Sequence, residues 1–480
     1  MTDVNPYYLA TFIVYMVVVL AIGVWAYTRT KTVMDFWVFG QDMGPLLATG
    51  SLVANFVSSV SVIGFIGAVY VGGYSIMTTT ILGLMLGLGG LYFVVGKVRM
   101  LDVLTFPDLI ARVTGFQSAR PLAGLVLLTS GFLYLIMQLV GAGLLITAIT
   151  GVPYEYMVWV IGFVFITYTV MGGLVSVAYT DLLQGFLMIT AVLIAVAYMF
   201  ADLGGITQIN TEIAALNAAH VSPTSGGTLR IAVIAATFLA FFGTILTEQD
   251  ILIRIAATRD VRTAKIHIAA GGVILSIFYC CLILLGGATA VALRHAGIEL
   301  PTPDAAFPTL ITSYVPTFIG AVIILAVMSA ILSTTDTRLH AIGMTVARDG
   351  YSYFRPNAGQ PELMKVSRTA TVVLGVAATA AAVDPPGTII MLYGFRAVLL
   401  TSAFLVPVYF AVYKSDVSGR VVFTAIVLGA VAGLAAQAQG GTIGMIPATF
   451  MGVGTATLAV LIGHYVLRMR RERTAPPVIG

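Results

Sequence analysis

The sequence predicts an all-α integral membrane protein with about 13 transmembrane helices, forming a single transmembrane domain over residues 1–480. Of the 480 residues, 59% are hydrophobic and only 9% are charged, and the mean hydropathy is +1.01. A soluble domain carries about a quarter charged residues. Apolar runs of about 20 residues, long enough to cross a bilayer as a helix, follow one another along the chain. We therefore expect a lipid bilayer around the protein and no nucleic-acid partner.

The predicted helices follow in order, and two of them carry polar residues at mid-depth. By sequence they lie at about 7–27, 46–70, 74–96, 121–149, 154–172, 181–200, 229–247, 266–293, 313–345, 367–383, 387–413, 421–437 and 444–467. The second is interrupted by Asn55, Ser58, Ser59 and Ser61. Irregular backbone at membrane depth is tolerated only where it lines a cavity or is buried in protein. The alternative explanation of the serines is close packing of helices.

The basic residues predict the orientation of the chain. Nearly all of the 24 Lys and Arg fall on one side if the N-terminus is outside and the C-terminus is cytoplasmic. The exceptions are Arg230, Arg294 and Arg396. The loops that would face the cytoplasm are 28–43, 97–120, 254–265, 338–368 and 414–420, together with the tail. We therefore expect a multi-pass protein of the cell membrane with an odd number of crossings.

The ninth helix becomes polar without a turn signal, at Ser333, Thr334 and the residues that follow. Hydroxyls at that depth should face protein, water or a cation rather than lipid. Hydroxyl oxygens together with carbonyls freed by a broken helix suit Na⁺. The alternative is that both hydroxyls bond back to the preceding helical turn, as Ser and Thr commonly do in membranes.

Five other residues within the spans are candidates for a functional role, and each also has a structural explanation. Asp181 is either a residue of an ion exit or a helix N-terminal acid that interacts with the helix dipole. Arg396 lies deep in its span and needs a carboxylate, a carbonyl or an anionic substrate as its partner, or is a structural ion pair. Tyr134, Gln138 and Phe241 are candidates for lining a cavity, although aromatic residues in spans usually pack. The buried amide of Gln138 needs hydrogen-bond partners.

Four motifs together resemble the sodium:solute symporter family, which includes transporters of proline, pantothenate, acetate, sialic acid and glucose. They are AILSTTDTRLHAIGMTVARDGY, MGGLVSVAYTDLLQG, FWVFGQDMGPLLATGSLVAN and ILIRIAATRDVRTAK. The resemblance implies a leucine-transporter-like fold of two inverted five-helix repeats, in which the first helix of each repeat is broken. The repeats would cover about 44–200 and 229–413, with an extra N-terminal helix in 1–43 and extra C-terminal helices and a basic tail in 414–480.

The resemblance also implies which residues form the sites. The sodium ligands would be the carbonyls of Ala54, Val57 and Ala330 and the hydroxyls of Ser333 and Thr334. The further positions it implies are Asn55, Tyr134, Gln138 and Phe241 for the substrate cavity and Asp181 for the ion pathway. Asp336 is expected outside the sodium shell, as a polar partner on the cytoplasmic side of the ion pathway.

The chain also departs from the family pattern. Phe56 stands where some members have an acid, Phe241 where proline transporters have Trp, and Glu248-Gln249-Asp250 where a QPH motif is usual. These changes put proline in doubt as the substrate. Phe56 and Phe241 together with Arg396 would suit a small organic anion.

The predicted function is a sodium-coupled symporter that imports a small organic solute, such as a monocarboxylate or another small organic anion. Na⁺ is the coupling ion, and no organic cofactor is expected. The alternatives are a proton-coupled or sodium-independent transporter and a nutrient-sensing membrane receptor. An enzyme is disfavoured because the sequence shows no nucleophile–base set or metal cluster. The sequence leaves the oligomeric state open, and a functional monomer is one alternative.

Overall fold

The computed structural model describes residues 6–227, 230–414 and 417–474. Within those ranges twelve helices are long and apolar enough to cross a membrane, and one bent pair, Pro45–Phe56 with Val60–Ser75, makes a thirteenth span. The predicted all-α membrane fold with about 13 spans is confirmed.

The helices and strands follow in chain order. The helices are α1 (Pro6–Arg29), α2 (Val33–Val38), α3 (Pro45–Phe56), α4 (Phe65–Gly72), α5 (Leu82–Met100), α6 (Phe106–Thr114), α7 (Ala119–Thr150), α8 (Tyr154–Asp202), α9 (Gly205–Leu216), α10 (Ile231–Thr247), α11 (Gln249–Ala257), α12 (Val261–His295), α13 (Ala306–Ser313), α14 (Thr317–Thr345), α15 (Ser352–Phe354), α16 (Gln360–Val383), α17 (Ile389–Leu400), α18 (Val406–Tyr413), α19 (Gly419–Ala438) and α20 (Ala448–Thr474). An antiparallel hairpin of β1 (Thr442–Ile443) and β2 (Ile446–Pro447) joins α19 to α20.

Two spans are broken within their length, and each is the first span of a predicted repeat. Between α3 and α4 the chain bends by 47°, and Val57 takes an extended conformation with φ −87° and ψ 119°. Between α10 and α11 the break is at Glu248, with φ −74° and ψ 125°. Backbone groups near both breaks are therefore released from the helical hydrogen-bond ladder.

The structure corrects the sequence prediction at the second break. The seventh span does not end at residue 247 but continues through α11 to Ala257. Arg254, which the sequence placed in a charged loop, is fully buried. Hydropathy ends the span too early because the charges of α11 are paired inside the protein, and a single sequence does not show such pairs.

Helix α14 lies at the centre of the molecule. It packs against α1, α3, α7 and α8, and every residue from Ala326 to Thr345 is buried. Its polar segment therefore faces other helices rather than lipid. The candidate functional site is built around this segment.

Gly173 interrupts α8 where the short helix α2 packs against it. Its φ is +55° and its ψ −156°, and a Cβ atom there would lie 2.4 Å from Cδ2 of Phe36. We expect Gly173→Ala to lower the free energy of unfolding by about 1–3 kcal/mol. The measurement is thermal unfolding in detergent. Gly89→Ala is the control: Gly89 lies inside α5 with open space around it, so that change should stabilise by about 0.5–1 kcal/mol. Equal stability of the two variants would contradict the prediction.

Candidate functional site: an oxygen cradle beside a charged cavity

Side chains satisfy the backbone groups released at the first break. The Ser58 N–H donates to Oγ of Ser61 at 2.7 Å, and the Ser59 N–H donates to Oε1 of Gln138 at 3.0 Å. The Ser59 hydroxyl also donates to the same Gln138 oxygen. Gln138, predicted as a residue of the substrate cavity, thus supports the broken backbone from α7.

Five oxygen atoms of α3, α14 and the residue after α3 converge beside this break. Oγ of Ser333 lies 3.0 Å from the Ala54 carbonyl oxygen and 2.9 Å from that of Ala330. Oγ1 of Thr334 lies 3.0 Å from the carbonyl oxygens of both Val57 and Ala330. Ala330 belongs to the preceding turn of α14, so the hydroxyls do bond back to their own helix. The same hydroxyls also reach the broken helix, and we name these five atoms the oxygen cradle.

The cradle has the chemistry of a site for a small monovalent cation. Its hydroxyl residues Ser333 and Thr334 and its carbonyl residues Ala54, Val57 and Ala330 are all fully buried. Carbonyls of unwound helices coordinate Na⁺ in many transporters. Within the described residues no group of three or more His, Cys, Asp or Glu side chains could hold a metal ion. The cradle would therefore rely on neutral oxygens.

A narrow cavity lies next to the cradle, between the two broken spans. Its open volume is about 20 Å³, which is about the space of one water molecule. The cavity is lined by Asn55, Phe56, Ser58, Val60, Ser61, Phe65, Leu84, Tyr134, Ile245, Glu248, Asp250, Ile251, Tyr279, Arg338 and Tyr393. Side chains must therefore move before a substrate can enter.

The predicted cavity residues divide into two groups. Asn55 and Tyr134 line the cavity, and the Tyr134 hydroxyl donates to Oγ of Ser58 at 3.0 Å. Phe241 is not among the lining residues; its ring packs against the lining ring of Tyr393 at 5.2 Å. The predicted substrate positions are thus only partly brought together.

Two acids and two arginines form a buried charged cluster at the cavity. Glu248, at the second break, accepts from Nη1 of Arg338 at 2.6 Å and from Nη2 of Arg396. Asp250 lies 2.7 Å from the same Nη1 of Arg338 and accepts from Nδ2 of Asn55. The partner of Arg396 is therefore a carboxylate of the protein, the structural ion pair that the sequence left as an alternative.

Asp181 lies in a second buried ion pair. Its Oδ2 is 2.8 Å from Nη2 of Arg254 and accepts from the Ser51 hydroxyl at 2.6 Å. It lies about two turns beyond the break at Gly173. The dipole effect falls off within the first turn of a helix, so the interpretation of Asp181 as a helix N-terminal acid does not fit.

A chain of polar contacts connects this pair with the cradle. The Thr337 hydroxyl donates to the Ser333 carbonyl at 2.9 Å and accepts from Nη2 of Arg254 at 2.9 Å. Asp336 is fully buried, and its Oδ1 accepts from the Thr337 N–H at 2.6 Å. Asp336 is not one of the five cradle atoms.

Four charged residues of this region were not among the predicted site residues: Glu248, Asp250, Arg254 and Arg338. Three of them come directly after the apolar part of the seventh span: Glu248, Asp250 and Arg254. Arg338 lies in the polar stretch of the ninth span. One signal in the sequence pointed to the two acids. An arginine as deep in its span as Arg396 requires a partner, and Glu248 and Asp250 are acids at the end of another apolar span.

The chain is similar to known proteins over most of its length. The family model of the Sodium:solute symporter family matches residues 36–429. The osmoregulated proline transporter OpuE of Bacillus subtilis is 25% identical over 87% of this chain and 86% of its own length. The high-affinity proline transporter PutP of the same species is 28% identical over 78% and 80%.

Solved structures show the same fold. A substrate-bound, outward-open Na⁺-coupled sialic acid symporter superposes with a TM-score of 0.83 at 19% identity, covering 97% of this chain and 98% of that one. MhsT in complex with L-phenylalanine superposes with a TM-score of 0.55 at 14% identity, covering 88% and 98%. The fold is leucine-transporter-like, as expected.

Proposed function

The chain belongs to the sodium:solute symporter family, whose model covers residues 36–429, and from this premise we propose that it couples Na⁺ entry to the uptake of a small organic solute. The observation that carries the proposal is the oxygen cradle. Two hydroxyls and three carbonyls meet between a broken helix and α14, as a desolvated Na⁺ requires.

Na⁺ in the cradle joins the broken second span to α14. Because the ion contacts both elements, it stabilises the arrangement in which they lie close, and the cavity beside them is then prepared for substrate. If Na⁺ and the substrate favour the same arrangement, binding of either one raises the affinity for the other by the same factor, and transport of the two is coupled. The membrane potential adds about 2.3 kcal/mol per charge per 100 mV to the driving force.

The route of the ion to the cytoplasm passes Asp336 and Asp181 in this proposal. The support is the chain of contacts from Ser333 through Thr337 to Arg254 and Asp181. With the N-terminus outside and the C-terminus in the cytoplasm, this chain lies on the cytoplasmic side of the cradle. The ion must pass the Arg254 guanidinium on its way out.

An amino acid is a better candidate substrate than a simple monocarboxylate. Arg396 does not line the cavity and is paired with Glu248, so an organic anion in the cavity would not meet its guanidinium. The arginine that lines the cavity is Arg338, and two carboxylates lie beside it. The two relatives named above are both proline transporters. We therefore include proline in the proposed substrate class, a small amino acid, despite the departures in the sequence.

A thermal-shift screen of the purified protein tests this function. We expect a small amino acid to raise the melting temperature in NaCl and much less in choline chloride. A ligand at 100 times its Kd stabilises by about 2.7 kcal/mol. Monocarboxylates, sugars and vitamins serve as comparisons. Equal shifts of the melting temperature in the two salts would count against sodium coupling. If only monocarboxylates raise the melting temperature, the substrate is an organic anion and not an amino acid.

A further inference from the structure

We propose that Arg338 and Asp250 together select the charge of the substrate: Arg338 takes its carboxylate and Asp250 takes its ammonium group. The cavity would then prefer a zwitterion to an anion of the same carbon skeleton. This inference rests on the proposed function and names the residues that recognise the substrate.

Arg338 is the shared member of the charged cluster. Its Nη1 atom lies 2.6 Å from Oε2 of Glu248 and 2.7 Å from Oδ1 of Asp250. Each acid also has a partner of its own, since Glu248 accepts from Arg396 and Asp250 accepts from Asn55. Arg338 can therefore turn toward a substrate carboxylate while neither acid loses all its contacts.

The charges that remain explain why the substrate needs a cation of its own. After such a turn Glu248 is still paired with Arg396, but the Asp250 carboxylate keeps only the neutral amide of Asn55 as a hydrogen-bond partner. An uncompensated buried charge costs several kcal/mol. A substrate ammonium placed on Asp250 supplies the missing charge, whereas a simple carboxylate leaves the cluster with one excess negative charge.

Unused polar atoms at the cavity support the same assignment. Among the described residues, the buried Nε of Arg338 donates no hydrogen bond, and the buried Oδ1 of Asp250 accepts none despite its short contact with the guanidinium. One is a donor and the other an acceptor, and both side chains line the cavity. Buried polar atoms in this position favour a ligand that satisfies both.

An aromatic wall of the cavity lies against the Arg338 guanidinium. The Tyr134 ring lies 4.3 Å from the Arg338 guanidinium carbon. Such cation–π contacts favour stacking of a guanidinium on the ring face. Phe56, Phe65 and Tyr279 line the cavity as well, so the part of the substrate away from its charges would meet aromatic side chains.

The test compares matched ligands on the full-length protein. The probes are L-proline with cyclopentanecarboxylate and L-alanine with propanoate, so the members of each pair differ in the amino group. Binding is measured by thermal shift, and sodium-driven uptake is measured in proteoliposomes. We expect the wild type to bind one amino acid at least tenfold more tightly than its matched anion. In Asp250→Asn this preference should fall at least tenfold, because the amide still accepts from Asn55 but carries no charge. Asp304→Asn, a buried acid outside the cavity, should keep the wild-type preference.

The outcomes separate this inference from the proposed function. Equal or tighter binding of the anions by the wild type, or no binding of any probe, would overturn the charge selection. So would an Asp250→Asn protein that loses affinity equally for both members of a pair. Binding that shows the expected preference but does not depend on Na⁺ would instead remove the proposed coupling and leave the selection by Arg338 and Asp250 intact.

Discussion

Replacing Ser333 and Thr334 together by alanine is expected to abolish sodium-driven accumulation of substrate at the Na⁺ concentrations that support wild-type uptake. The double variant leaves three of the five cradle oxygens in place. A contact to a charged group contributes about 1.5–3 kcal/mol, so two lost contacts should raise the Na⁺ concentration for half-maximal uptake by at least about 100-fold. The measurement is the Na⁺ dependence of initial uptake rates in proteoliposomes.

Thr335→Ala is the matched control for the double variant. Thr335 is the next residue of α14 and is buried, but its hydroxyl bonds to the Ile331 carbonyl in its own helix. Its loss should leave the Na⁺ dependence within a few-fold of the wild type. An unchanged Na⁺ dependence in the Ser333 and Thr334 double variant would show that the cradle is not the ion site.

Removing the arginine of the second buried ion pair is expected to destabilise the protein strongly. Arg254→Gln leaves the carboxylate of Asp181 without its cation, and both side chains are fully buried. Loss of one partner of a buried pair costs about 3–5 kcal/mol. The measurement is the free energy of unfolding in detergent, compared with Arg420→Gln at an exposed position of α19.

The double variant separates the charge effect from simple loss of contacts. Adding Asp181→Asn to Arg254→Gln removes the unpaired carboxylate and should restore most of the lost stability. With Asp181→Asn alone as the fourth protein, the double-mutant cycle gives the coupling energy of the pair. A single Arg254→Gln variant as stable as Arg420→Gln would mean that the pair contributes little.

The two hydroxyls of the cradle could be predicted because their signals are local. Ser333 and Thr334 begin a polar run inside an apolar span, which favours contact with protein, water or a cation over lipid. Ala54 and Val57 act through their carbonyls, which any residue carries, so only the family resemblance pointed to them. The structure brings all five residues together, while their role as sodium ligands stays a prediction.

The charged cluster could not be predicted in the same way. Glu248 and Arg396 are 148 positions apart, and Arg338 reaches them from a third element. Glu248 and Arg338 each have a local explanation in the sequence, as a residue at the end of a span, and Arg396 showed only that some partner was required. Only tertiary packing reveals that the acids and arginines neutralise one another. For this reason our proposal assigns the substrate carboxylate to Arg338, whereas the sequence had suggested Arg396.

The coupling ion is the central claim, and one transport experiment tests it most directly. Proteoliposomes containing the wild-type protein receive an inward gradient of Na⁺, of K⁺, or of protons without Na⁺, at the same membrane potential. The account predicts that the amino acid found in the screen accumulates above its equilibrium level with the Na⁺ gradient alone. Equal accumulation with the proton gradient in the absence of Na⁺ would contradict it.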